Sequence, residues 1–330
     1  MRFRSRCVIY AVAVHATIVA AAAHSATCTS RPAAADALHR LQSVMASGRF
    51  VAYHPTSLTL EDGRWSHVDE ASLHDDLSVL RTRFDGLVTY GVANGADRVA
   101  DVAAALHFRA VILGVWDTTG ERELANAIAA AKRHPDIVVG LSIGNERVFA
   151  GAATFAELTV RIERARTFAP SLAITTTEPF HLFLEPAAAT LIHASDFMLV
   201  NVHPVFEAWF RDAPDAHAAQ FVTNVVDLLA PLACGPIFVK ETGVPTAPVE
   251  RGFTPERQRT FYAALRTGFP ASATRAFAYF SAYDAPWRVH DATAVAGEHP
   301  EEAHWGLYDE RRREKPAVVD IPALVPATAP

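Results

Sequence analysis

Eight short apolar runs recur along the middle of the chain, separated by longer stretches in which Leu and Ala alternate with charged residues. The runs are FVAYHP (50–55), GLVTYG (86–91), AVILGVW (110–116), IVVGLSIGNE (137–146), LAITTTEP (172–179), FMLVNVHP (197–204), PIFVKETG (236–243) and AFAYFSAY (276–283). Most are nearly continuous in apolar residues, the pattern of strands covered on both faces in a parallel sheet. Between them, Leu73, Leu77, Leu80 and Phe84 stand at helical spacing, and DRVADVAAALHF and ERELANAIAAAKRH are rich in Ala and Leu. TPERQRTFYAALRTGF opens with Thr254 as a cap and Pro255 at the first helical position, and Gly268 lies near its end. Eight strand–helix units in ~280 residues predict an α/β protein, a single-domain (β/α)8 TIM barrel. An open doubly wound sheet would favour a Gly-rich turn after the first strand. That place reads YHPTSL, without glycine.

Composition narrows the picture. The chain has 330 residues, half of them hydrophobic, and a net charge of −6 with His neutral. That suffices for a full core, and no basic stripe marks a nucleic-acid binder. The mixed run DERRREK (309–315) reads as solvated surface. At the start, MRFRSR, an apolar stretch and HSA follow the layout of a secretory signal, with an uncleaved anchor as the alternative. The expected organisation is therefore a signal peptide at 1–25, a leader or linker at 26–48, the barrel at 49–318 and a Pro/Ala-rich tail at 319–330. The expected location is secreted or periplasmic. Cys7 lies in the signal, which leaves Cys28 and Cys234 as one possible disulfide. No Cys or His pattern has metal-site spacing, and no cofactor or obligate protein partner is expected.

In such a barrel, chemistry gathers at the C-terminal strand ends. Those ends carry Tyr53 and His54, Tyr90, Trp116 and Asp117, Asn145 and Glu146, Glu178, Asn201 and His203, Lys240 and Glu241, then Tyr283, Asp284 and Trp287. Aromatic rings stack on sugar faces, while amides and carboxylates bind hydroxyls, so the set suits a carbohydrate. Glu146 ends the fourth strand and Glu241 the seventh, on opposite sides of one mouth. Two opposed carboxylates are what glycoside hydrolysis requires, one donating a proton and one attacking the sugar carbon. Asn145 is placed to bind the hydroxyl beside the reacting carbon. Glu178 reads as pocket lining or structure. Lys240 alternates away from Glu241 and is expected to point outward.

VVGLSIGNE followed by IFVKETGVPT resembles glycoside hydrolase family 17, the β-1,3-glucanases and related glucanosyltransferases. The resemblance implies a (β/α)8 barrel acting with retention, with Glu146 as acid/base and Glu241 as nucleophile, on a β-glucan polysaccharide or oligosaccharide. LVNVHPVF adds Asn201, His203 and Phe206 as subsite residues, and EAHWGLYD adds Glu302 and Trp305. Strand positions and motif match together add Tyr53 and Tyr90 as sugar contacts, while Tyr279 reads as core. Trp287 and His54 stay open between core and substrate. Val244 stands where plant members have Trp, no Arg precedes Tyr90, and YDAPWR replaces FNEN.K, with Asp284 and Arg288 as stand-ins. These departures resemble bacterial members more than plant ones. Alternatives are a transglycosylase on the same site, a β-1,4-glucanase or β-mannanase, and a non-catalytic sugar-binding barrel.

Overall fold

The computed structural model describes residues 28, 31–290 and 298–324, so the expected signal segment lies outside the described residues. Eight parallel strands close into a barrel: β1 Phe50–Ala52, β2 Gly86–Val88, β3 Ala110–Val115, β4 Val138–Asn145, β5 Ala173–Pro179, β6 Met198–Asn201, β7 Ile237–Glu241 and β8 Arg275–Tyr279. Phe50 pairs with both Gly86 and Ala278, which joins the ends of the sheet. The expected architecture is thus present, each strand overlapping one of the apolar runs.

Helices alternate with the strands: α2 Glu70–Arg81, α3 Val99–Ala105, α4 Glu121–Arg133, α5 Phe155–Phe168, α6 Ala189–Ala194, α7 Asp215–Leu229 and α8 Pro255–Gly268. Their starts are encoded locally. Asp69 accepts from the Ser72 N–H at the head of α2, Thr154 and Glu157 form a capping box on α5, and Thr254 caps α8 ahead of Pro255. Leu73, Leu77 and Leu80 of α2 are buried against the barrel's outer face.

The barrel interior is a separate cluster of Phe50, Val88, Ile112, Val139, Phe197, Leu199 and Phe238. Its N-terminal end is filled by α1, Ala35–Ser47, which buries Leu41, Val44 and Met45 against the strand starts. This corrects the expected linker at 26–48, because Leu41, Val44 and Met45 supply the apolar stripe of an amphipathic helix. A Cys28–Cys234 disulfide ties the segment before α1 to the approach to β7. The tail is also better anchored than its composition suggested. Ile321 is buried, and the Leu324 N–H donates to the Thr82 carbonyl at 2.8 Å. Residues 325–330 lie outside the described residues.

The charged run 309–315 is not simply solvated surface. Arg312 reaches the buried Asp76 carboxylate at 2.8 Å, and Lys315 reaches Asp284 at 2.7 Å. A cation at a domain edge can extend its alkyl stem inward when a buried acid needs a partner.

Candidate active site

The mouth at the C-terminal end of the barrel is shaped by two irregularities in strand pairing. Between β4 and β5, Ser142 pairs with Thr175 but Asn145 pairs with Thr177, so β4 carries an extra residue. The slack is taken up at Gly144 (φ +85°) and at Glu146, itself left-handed at φ +53°. That conformation costs a non-glycine residue roughly 1–3 kcal/mol and persists where its surroundings over-determine it. Here the Glu146 N–H donates to the Thr177 carbonyl at 2.8 Å, and Asn201 Nδ2 donates to Glu146 Oε1 at 2.8 Å.

The second irregularity lies between β6 and β7. Val200 pairs with Val239, but Asn201 pairs with Glu241. Lys240 is the extra residue, and strict alternation fails there. Both Lys240 and Glu241 turn into the mouth, which corrects the expectation that Lys240 points outward. Lys240 is 1 % exposed. Its Nζ lies 2.7 Å from Asn145 Oδ1, 4.0 Å from Glu241 Oε1 and 4.0 Å above the centre of the Tyr90 ring. After Glu241 the chain must pass close to β8. A side chain at Gly243 would meet the Phe280 carbonyl oxygen at 2.4 Å, which explains the glycine of the ETG motif.

The two glutamates occupy opposed electrostatic settings. Burial, then the charge of Glu241, raises the Glu146 carboxyl above its ordinary range against the pull of the Asn201 hydrogen bond. Burial pushes Glu241 upward too. The His203 hydrogen bond and the charges of Lys240, His203 and Arg288 outweigh it, and Glu241 is held below the ordinary range. His203 Nε2 sits 3.3 Å from Glu241 Oε2. The Tyr90 hydroxyl and Glu241 Oε1 are both buried without a hydrogen bond to the described residues. Burial and then the Glu241 charge drive the Tyr90 phenol well above its ordinary value.

Around this pair the expected residues sort by position. His203 is flanked by the rings of Phe280 (5.1 Å between centroids), Trp305 (5.2 Å) and Phe206 (5.5 Å). Phe206 is 59 % exposed, an open face on the rim. Trp305 is only 2 % exposed; it lies behind His203 and Phe280 and supports them rather than offering a stacking face. Tyr53 is likewise corrected. It is fully buried in the layer between strands and helices, and its hydroxyl donates to Asp76 Oδ2 at 2.8 Å. Alternation explains this, since Phe50 and Ala52 face inward while Val51 and Tyr53 face outward. Tyr279 joins the same layer, as expected.

Arg288 pairs with Glu302 at 2.9 Å and lies over the Phe280 ring at 5.2 Å. Asp284 does not join them, because it accepts from Lys315 and from the Gly306 N–H instead. Glu178 is structural: it accepts from the Val148 and Phe149 N–H groups at 2.8 and 3.1 Å and pins the loop that follows Glu146. Trp287 packs against His54 at 5.0 Å and Trp65 at 4.8 Å. Burial, then Arg288, lowers His54 to about 4, so its ring is neutral at pH 7. Trp65, 38 % exposed, was not anticipated. It stands on a small hairpin, Leu60–Glu61 with Arg64–Trp65, turned by Asp62 and Gly63 at positive φ. The Asp-Gly pair is the local signal that announces such a hairpin.

A model of the BtgE/BtgC glycoside hydrolase domain matches residues 51–306, a span that holds both glutamates. The chain belongs to this family. A glucan 1,3-beta-glucosidase of Arthroderma benhamiae is 26 % identical over 264 residues, covering 75 % of this chain and 84 % of that protein. An endo-laminarinase from Formosa Hel1_33_131 superposes with a TM-score of 0.69 at 17 % identity, over 87 % of this chain and 88 % of the other. A glycoside hydrolase family 17 beta-1,3-glucanosyltransferase from Rhizomucor miehei gives a TM-score of 0.59 at 20 % identity, over 81 % and 95 %. At those identities the two structures speak to the fold, which is that of this glycoside hydrolase.

Proposed function

We propose that this glycoside hydrolase cleaves β-1,3-linked glucan with retention, Glu241 acting as nucleophile and Glu146 as acid/base. One observation carries the reading: two carboxyls at one barrel mouth whose pKa values are driven in opposite directions by different neighbours. Glu241, kept ionised, attacks the anomeric carbon while protonated Glu146 gives its proton to the departing oxygen. Glu146, now ionised, takes a proton from water, which attacks the anomeric carbon and displaces Glu241. Asn145 offers its amide to the sugar hydroxyl next to the reacting carbon, and Phe206 offers a rim surface for a neighbouring ring. The names of the glucosidase and laminarinase relatives support a β-1,3-glucan as substrate. Closeness to bacterial rather than plant members is part of the same proposal and rests on Val244 and the altered motif around Arg288.

The test is product analysis on laminari-oligosaccharides, with mannan and cellulose in parallel. Shorter products of β configuration are expected. Cleavage of mannan or cellulose with laminarin untouched would overturn the linkage. Longer products would mark transfer to a sugar acceptor, the activity named for the Rhizomucor miehei neighbour. With an activated aryl β-glucoside and azide, Glu241→Ala is expected to yield the α-azide and Glu146→Ala the β-azide. The reverse pattern would exchange the roles. The basic, apolar leader and the Cys28–Cys234 disulfide support a secreted or periplasmic location, an oxidising setting in which such a bond persists.

A further inference from the structure

Lys240 is a buried ammonium that the double-displacement scheme leaves unused. Removing a lysine from water is costly, and such groups persist where partners compensate them. Its partners here are the Asn145 amide at 2.7 Å, the Tyr90 ring at 4.0 Å and Glu241 Oε1 at 4.0 Å. A lysine carries only donors, so the Asn145 atom facing it must be the amide oxygen. The flipped amide would set its NH2 against the ammonium. Asn145 is therefore held in one orientation, and its two N–H donors are turned away from Lys240.

The charged and titratable groups around it come from every neighbouring element. Glu241 stands beside it on β7, Glu146 at the end of β4, Tyr90 beyond β2, His203 beyond β6 on the far oxygen of Glu241, and Arg288 beyond β8. Lys240 lowers the pKa of both glutamates. Burial brings its own value down to about 8 against the pull of Glu241 and Glu146, so it stays charged across the acidic and neutral range.

We propose that Lys240 is a positioning residue for the glycosidic reaction: its ammonium locks the Asn145 amide with the donor end free for a sugar hydroxyl, and supplies the fixed charge that keeps Glu241 ionised. The proposal rests on the assignment of Glu146 and Glu241 above. The bulge in β7 is the device that makes it possible, because regular alternation would put Lys240 and Glu241 on opposite faces.

The test compares Lys240→Met, which fills the space without charge, with Lys240→Gln, which is neutral but can still donate to Asn145. Kinetics on a laminari-oligosaccharide are followed across pH, with circular dichroism confirming the fold. Lys240→Met is expected to lose about 10²-fold in kcat with little change in KM. Both limbs of its pH profile should move to higher pH by about one unit, since removing a cation raises both carboxyls. Lys240→Gln is expected to show the same limb shift with a smaller loss of kcat. If only Lys240→Gln folds, the limb shift alone decides. Limbs that stay in place in a folded variant, whatever happens to the rate, would reduce Lys240 to packing and overturn the proposal. Glu146→Gln and Glu241→Gln run alongside. Wild-type turnover in either would instead bring down the catalytic assignment and this proposal with it.

Discussion

The two ends of the barrel are built from the same strands and differ in almost everything else. At the N-terminal end, inward positions carry Phe50, Phe197 and Phe238, and α1 closes the opening with Leu41, Val44 and Met45. The inward cluster there is apolar, and charge is kept to the strand starts around it, where buried Asp85 and Asp196 pair with Arg109 and Arg166. At the C-terminal end, inward positions carry Glu146, Lys240, Glu241 and Asn201, two strands are bulged, and Glu146 sits in a left-handed conformation. The difference teaches that stability and chemistry are placed at opposite ends, so the cost of burying charge at one is offset by apolar packing at the other. A substitution should therefore move activity or stability according to which end it touches.

The largest effect is expected at the charged end. Glu241→Gln should lower kcat on laminari-oligosaccharides by about 10³-fold or more, and Glu146→Gln by ~10²–10⁴-fold. Glu146→Gln should not lower the melting temperature appreciably, since burial disfavours the ionised form it removes, whereas Glu241→Gln should lower it, since it takes a partner from buried Lys240 and His203. Wild-type activity should be bell-shaped in pH. It rises as Glu241 ionises, below the ordinary carboxylate range, and falls as Glu146 loses its proton, above that range. Glu146→Gln should abolish the descending limb for a substrate whose leaving group needs no proton. A clear drop in melting temperature in Glu146→Gln would blur the division between the two ends.

At the apolar end the expectation inverts. Leu41→Ala, fully buried in the plug, should cost ~2–5 kcal/mol in denaturant unfolding. Turnover per folded molecule should stay as in the wild type. Activity that falls in a fully folded Leu41→Ala sample would mean that the plug is felt at the mouth.

The disulfide belongs to the same end and sharpens the point. Cys28 and Cys234 are 206 residues apart in sequence, and the bond holds the segment leading into α1. Its loss through Cys28→Ser should cost ~2–4 kcal/mol, mainly by freeing the unfolded chain. The pH profile of turnover should not move. An unchanged unfolding curve after complete reduction, checked by thiol labelling, would show that α1 is held by packing alone.

The same contrast governs what was legible beforehand. Where packing is regular, pattern sufficed. Continuous apolar runs announced all eight strands, and the paired Glu motifs at the ends of β4 and β7 pointed to the one mouth where both carboxyls lie. Reading failed where local geometry departs from the rule. A period of two sends Lys240 outward, because a bulge is invisible to it. Motif position alone puts Tyr53 in the mouth, but alternation from Phe50 points it outward. The plug helix was hidden by an Ala-rich opening that resembles a linker, although Leu41, Val44 and Met45 already stand at helical spacing. Trp65 follows an Asp-Gly turn flanked by strands of only two residues, too short for a periodic signal.

Glu178 tests the comparison most finely, because it is a charge at the active end with a structural task. Burial, with a smaller push from Glu146, raises it from its ordinary 4.5 to about 7, against the pull of the backbone donors of Val148 and Phe149. The folded protein therefore holds a proton there that the unfolded chain has released between those two pH values. Stability must fall as pH rises through that window, the sign opposite to that of a salt-bridged carboxylate. Glu178→Gln removes the titration and keeps one acceptor oxygen, so one of the two N–H groups, which donate to separate carboxylate oxygens, loses its partner. Relative to the wild type, the variant's stability should rise by ~1–3 kcal/mol between pH 5 and pH 8. Catalysis should change only through the lost charge near Glu146, whose pKa would drop slightly and pull the descending limb of the rate profile to lower pH. Denaturant unfolding of both proteins at the two pH values decides it: the same difference in stability at both would mean that Glu178 is ionised in the fold, with its charge fully met by the loop it pins.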